Sequence, residues 1–134
     1  MLEGFYHYYS KLGEKIEFTP YYILKQSDFY DESNPKNWPN CVSGGRYCAS
    51  KVKELNITEP INIINEDIRQ KCIYNEYKAD TYFKYMRSFH DQCMFKNSPM
   101  FNLTCSEGLF QSLGIDKEVV KQCLSHSFTG IRVK

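Results

Sequence analysis

Apolar residues recur along most of this chain at the spacing of one helical face. Leu2, Phe5, Tyr9 and Leu12 fall at intervals of 3, 4 and 3, which predicts a first helix with a single apolar stripe. Gly13 follows as a natural stop, because glycine adopts the left-handed backbone that ends helices without steric cost. The next segment, "IEFTPYYIL" at 16–24, breaks the helical period. Its β-branched and aromatic residues predict a strand, and Pro20, which has no N–H to give a ladder, puts its start or an edge there. Residues 26–45 are dominated by Asp, Asn, Ser, Pro and Gly and predict a loop. A free loop of that length is uncommon in a compact domain unless something ties it.

Helical periodicity returns from residue 58. Ile61, Ile64, Ile68 and Cys72 share one face. After a polar break, Asp80 is placed to cap a second helix whose face is Tyr82, Met86, Phe89 and Cys93. "TCSE" at 104–107 has the form of a capping box, with Thr104 as the cap and Glu107 reaching back. The helix it opens presents Cys105, Leu109 and Leu113 and ends at Gly114. Asp116 caps a last helix with Val119, Val120 and Cys123 inward. The expected class is mainly α with a short β element, in one disulfide-stabilised domain. Residues 1–25 form a helix plus strand, 26–50 a disulfide-tied loop, 51–124 a helical region and 125–134 a tail.

Composition narrows the function classes. The 134 residues suit about one domain, and the net charge of +1 shows none of the basic excess that nucleic-acid binders carry. No apolar run approaches the roughly 18 residues needed to span a bilayer. The N-terminus lacks the apolar core and small-residue cleavage site of a secretory leader, so the expectation is a mature protein or a piece of a longer one. The eleven Tyr and nine Phe suit a core whose rims stay wet, since a tyrosine buries its ring and keeps its hydroxyl near water.

The six cysteines, Cys41, Cys48, Cys72, Cys93, Cys105 and Cys123, are even in number. They occur with two glycosylation acceptors, "NIT" at Asn56 and "NLT" at Asn102. Together these features point to an oxidising compartment: the secretory or endomembrane lumen, or the extracellular face. Six cysteines allow about 15 pairings. Cys105 and Cys123 each lie nine residues from Gly114, so an antiparallel helix pair would set them opposite each other. Cys105–Cys123 is therefore the preferred pair, then Cys41–Cys48, with Cys72–Cys93 by elimination. Cys93–Cys105 is the rival, being close in sequence.

"CVSGGRYCAS" at 41–50 decides whether chemistry is expected. Zinc knuckles need two thiolates two to four residues apart and a second ligand pair; here six residues intervene, and His7, His90 and His126 are scattered. A redox dithiol needs Cys-x-x-Cys at a helix N-terminus, and that spacing does not occur. The nucleophile elbow, the zinc-protease helix and the phosphate-binding loop are also missing, so no catalytic, metal or cofactor site is expected. The remaining reading is a structural staple. Gly44 and Gly45 supply the positive φ of a tight reversal, and Arg46 is held on a rigid exposed loop as a candidate partner-binding residue.

Taken in order, "FTPYYIL", "NCVSGGRYCA", "INEDIRQKC", "YFKYMRSFHDQCM" and "CSEGLFQSLGIDKEVVKQC" resemble the central luminal region of plant-type vacuolar sorting receptors. The resemblance runs from about residue 5 to about residue 124. It implies a thioredoxin-like domain with a large helical insertion, in which "FTPYYIL" is a sheet strand and residues 41–124 are the insertion. It implies a non-enzymatic domain of a cargo receptor whose partners are proteins or cargo peptides, with sheet strands supplied by sequence outside this chain. Two departures are visible. "LKQSDF" and "ESNPKNW" lack cysteines found in the family, and "SKVKEL" replaces its acidic stretch. Two other classes compete: an oxidoreductase with active thiols elsewhere, and a structural subunit of a larger assembly.

Overall fold

The computed structural model describes residues 2–34, 36, 38, 40–49, 61–94 and 101–127. Helix α1 is Leu2–Leu12. It ends where Gly13 turns to φ +52° and opens one 3-10 turn, Gly13–Lys15. Two short antiparallel strands follow, β1 at Cys41–Val42 and β2 at Tyr47–Cys48. Helix α2 spans Ile61–Phe89 and runs into a π turn at His90–Met94. Three helices complete the described chain: α3 at Leu103–Gly108, α4 at Phe110–Leu113 and α5 at Lys117–His126.

Helix α2 is not one rod. Lys78 leaves helical geometry at φ 67° and ψ −171°, and the chain folds back on itself there. The Tyr85 hydroxyl donates to Glu66 Oε1 at 2.7 Å, and the Tyr74 and Tyr82 rings lie 5.9 Å apart. Along a straight helix, nineteen residues would span about 28 Å. The stretches 61–77 and 79–89 therefore form an antiparallel hairpin. The expected break falls two residues before Asp80, which is no cap. Its carboxylate instead accepts from Tyr6 at 3.2 Å and pairs with Lys84 at 2.9 Å.

The main core lies where this hairpin meets α3, α4 and α5. It joins Cys72, Ile73, Tyr85, Phe89, Cys93, Leu109, Phe110, Ile115 and Val120. A second cluster sets Tyr6, Tyr9 and Phe18 around Ala79, Tyr82 and Phe83. Segment 16–24 crosses both halves of the hairpin. Its even-numbered side chains turn inward and its odd-numbered ones outward, the alternation expected of a strand. It nevertheless forms no ladder among the described residues; only Lys25 makes an isolated bridge, to Cys48. The expected strand thus has the side-chain pattern without the pairing, because the surface it packs on is helical and offers no free backbone groups.

The disulfides correct two of the three preferred pairings. Cys41 bonds Cys48, Cys72 bonds Cys123 and Cys93 bonds Cys105, and none of the six is free. The Gly114 symmetry argument fails because α3 and α4 are separate short helices with a break at Leu109. Helix α5 packs instead along the first half of α2, which brings the Cα atoms of Cys123 and Cys72 to 5.8 Å. Cys105, in the first turns of α3, lies 5.7 Å by Cα from Cys93 in the π turn. The α3 cap is also corrected. Asn102, not Thr104, is the N-cap, and its Oδ1 accepts from the Thr104 N–H at 2.7 Å. Glu107 is drawn off to Lys117 at 2.7 Å. At α5 the expected cap is present, with Asp116 accepting from the Glu118 N–H at 2.8 Å.

Candidate functional site

The 41–48 loop is held from three sides. Cys41 faces Cys48 across the two strands, and the Ser27 N–H donates to the Gly45 carbonyl at 2.9 Å. Trp38 stacks on Phe29 and covers Gly45, where an added Cβ would stand 2.5 Å from Trp38 Cδ1. Gly44 at φ 68° and Gly45 at φ 96° make the reversal, as L-residues with a side chain would not without strain. Arg46 is exposed, with its guanidinium 5.6 Å from the centre of the Tyr47 ring.

The inner side of this loop forms one wall of a cleft of about 560 Å³. Val42 and Tyr47 come from the loop, and Tyr22 and Leu24 from the crossing segment. Ile64, Asp67, Ile68, Lys71, Asn75 and Glu76 come from the first half of α2, and His126 and Ser127 from the end of α5. The Cys72–Cys123 bond closes the floor. That volume lies within the range of clefts that take small ligands or peptide side chains. The residue singled out in sequence, Arg46, is not in the lining; its neighbour Tyr47 is. Among the described residues, no group of three or more His, Cys, Asp and Glu is placed to hold a metal, and no helix is long and apolar enough to cross a membrane.

Beneath the cleft lies a buried polar network. Glu66 is fully buried and meets Arg69 through Oε2, while Gln70 donates to Oε1 at 3.0 Å. Tyr85 bonds both Glu66 and Ser106. Tyr22 donates to Gln70 Oε1 at 2.9 Å and meets the Tyr82 hydroxyl at 3.0 Å. Burial pushes the Glu66 carboxyl upward, against Arg69, Tyr85 and Gln70, which favour its charged form. Burial and the bond to Tyr82 push the Tyr22 hydroxyl up as well. Such networks are stable only when every member is satisfied, and no buried side-chain polar atom among the described residues lacks a partner.

Asp67, one residue along, faces the cleft instead. Burial, reinforced by the neighbouring Glu66 charge, pushes its carboxyl up to about 7. Lys71, one turn on, would ordinarily pair with it. Its ammonium instead donates to the Pro20 carbonyl at 3.0 Å and lies 5.4 Å and 5.1 Å from the Tyr21 and Tyr74 ring centres. Sequence reasoning missed both residues, because an i, i+4 acid–base pair on a helix reads as a solvated face. Of the two glycosylation acceptors, Asn102 is half-buried with its Oδ1 committed to the α3 cap; Asn56 lies outside the described residues.

These features define a disulfide-stapled helical domain with a cleft pinned between two of its cross-links. Residues 3–132 match the family described as the vacuolar sorting receptor thioredoxin-like domain, and the chain belongs to that family. It is 29% identical over 119 residues to Vacuolar-sorting receptor 2 of Arabidopsis thaliana, an alignment covering 84% of this chain and 19% of that protein. The chain therefore spans about a fifth of that relative. No solved structure matches it.

Proposed function

We propose that this chain is a non-enzymatic luminal domain of a vacuolar-sorting-receptor-like protein, and that it binds protein cargo or partners through the cleft between the 41–48 loop, segment 22–24 and α2. The carrying observation is that the cleft is walled by two separately cross-linked pieces of the chain, the Cys41–Cys48 loop and the Cys72–Cys123 helix pair. Walls fixed before binding lose little entropy when a ligand arrives. Family membership supports the receptor reading, and the three disulfides support an oxidising lumen or the extracellular face. In this reading Arg46, next to the lining residue Tyr47, contacts an acidic group of the partner, Asn102 carries a glycan outside the cleft lining, and Asn56 is a second glycan acceptor.

The test is binding of fluorescent peptides taken from vacuolar cargo propeptides, followed by anisotropy. Peptides should bind the chain, and Val42→Trp, which fills the cleft from the loop side, should weaken binding tenfold or more. Binding unchanged in that variant would refute the site. Turnover of insulin disulfides by the chain would refute the non-enzymatic assignment.

A further inference from the structure

We propose that the cleft selects a basic side chain, lysine or arginine, presented by an extended peptide, and that the Asp67 carboxylate is its ion-pair partner. The inference rests on the cleft reading above and adds the chemistry of what enters it. Asp67 makes no hydrogen bond or ion pair among the described residues, although it lines the cleft and is largely removed from solvent. The cation that should neutralise it, Lys71, is held away by the Pro20 carbonyl and two tyrosine rings. Pro20 is itself buried, so its carbonyl is a fixed acceptor, and the diversion of Lys71 is built into the crossing segment.

The surroundings fit a cation on an aliphatic stem. Leu24, Val42 and Ile68 supply apolar wall, which suits the methylenes of lysine or arginine while the charged head goes to the carboxylate. Glu76, exposed at the far border of the cleft, adds a second carboxylate to the lining. A neutral apolar ligand would bury the carboxylate further without a partner, which is costly. An acidic ligand would meet the Asp67 and Glu76 carboxylates, while the lining's own cation, Lys71, is committed to the Pro20 carbonyl. A cation supplies the carboxylate with the partner that the free cleft lacks, by a charge-assisted hydrogen bond stronger than a neutral donor can make.

The experiment compares two probes, acetyl-Leu-Arg-Leu-amide and its citrulline counterpart, which has nearly the same shape and no charge. Binding is read on the full chain from amide NMR shifts of residues 22–24 and 64–72. The wild type should bind the arginine peptide at least tenfold more tightly, and Asp67→Asn should bring the two to equal affinity. A charge swap adds a gain-of-function arm: Asp67→Arg should prefer acetyl-Leu-Glu-Leu-amide. Equal binding of the first two peptides by the wild type, with both lost on Val42→Trp, keeps the cleft and overturns the role of Asp67. An arginine preference that survives Asp67→Asn also overturns it. Shifts that ignore Val42→Trp, or no shifts with any peptide, overturn the cleft reading and this proposal with it.

Discussion

Around Cys72 and Cys93 the chain is cross-linked twice, and Ile73, Tyr85, Phe89 and Val120 are almost wholly out of water. Around Phe83 it is held by packed rings and by tyrosine hydrogen bonds, Tyr6 to Asp80 and Tyr74 to the Phe18 carbonyl, with no disulfide. No cysteine precedes Cys41, and Phe5, Tyr8 and Leu12 of α1 are 39%, 65% and 44% exposed. The first region combines near-complete burial of aliphatic and aromatic side chains with covalent constraint of the unfolded chain. The second depends on the Phe83 ring, which has the rings of Phe5, Tyr6, Tyr9, Phe18 and Tyr82 at 5.6, 5.7, 5.3, 4.7 and 5.5 Å. Tilted aromatic pairs of this kind add about 0.5–1.5 kcal/mol each beyond the area they bury. The cleft draws on both regions. Its floor belongs to the cross-linked region, whereas Tyr22 and Leu24 of its wall hang on the aromatic one.

The strongest way to break this contrast is to remove cross-links. The Cys72–Cys123 bond spans a sequence separation of 51, Cys93–Cys105 one of 12 and Cys41–Cys48 one of 7. Loop-closure entropy assigns these about 4, 3 and 2 kcal/mol. Paired Cys→Ala substitutions should lower the urea midpoint in that order. A larger loss from Cys41–Cys48 than from Cys72–Cys123 would show that the loop, not the helix pair, is the keystone.

Phe83→Ala should cost about 3–4 kcal/mol, and the loss should be local. Amide exchange should quicken in residues 4–24 while α5 keeps its protection. Uniform loosening throughout would mean that the two regions fold as one cooperative unit.

The smallest expected effect sharpens the boundary between the regions. The Asp67 carboxyl sits at about 7 in the folded chain, against 3.8 as its ordinary value. Between those values the folded state holds a proton that the unfolded state has released, so stability from this group falls as pH rises through that window and is lowest above it. Asp67→Asn removes the penalty. After allowance for partial exposure, the variant should be about 1 kcal/mol more stable than the wild type at pH 8 and no different near pH 4. Urea midpoints at the two pH values check this. A variant less stable at pH 8 would show that the carboxylate is paired in the folded chain. A stabilising substitution that removes the preference for a basic side chain is the trade-off expected where a site is kept at the cost of stability.

Much of the local structure was legible in the chain because it depends on neighbours a few residues apart. The stops at Gly13 and Gly114, the Asp116 cap, the tied reversal at Gly44–Gly45 and the inward positions Ile64, Cys72, Tyr82, Phe89 and Val120 all follow from helical period and the φ that glycine allows. The even–odd alternation of 16–24 was equally local, although it came without a ladder. What the tertiary structure decided is which distant elements meet. Only the docking of α5 on the first half of α2 gives Cys123 to Cys72, and only the break at Leu109 denies it Cys105. The reversal at Lys78 buries Glu66 against Tyr85, and the crossing segment draws Lys71 off Asp67. Sequence spacing carries no information on these points, because the energy of a pairing, of a buried charge or of a diverted ammonium is set by groups tens of residues away along the chain and a few ångströms away in space.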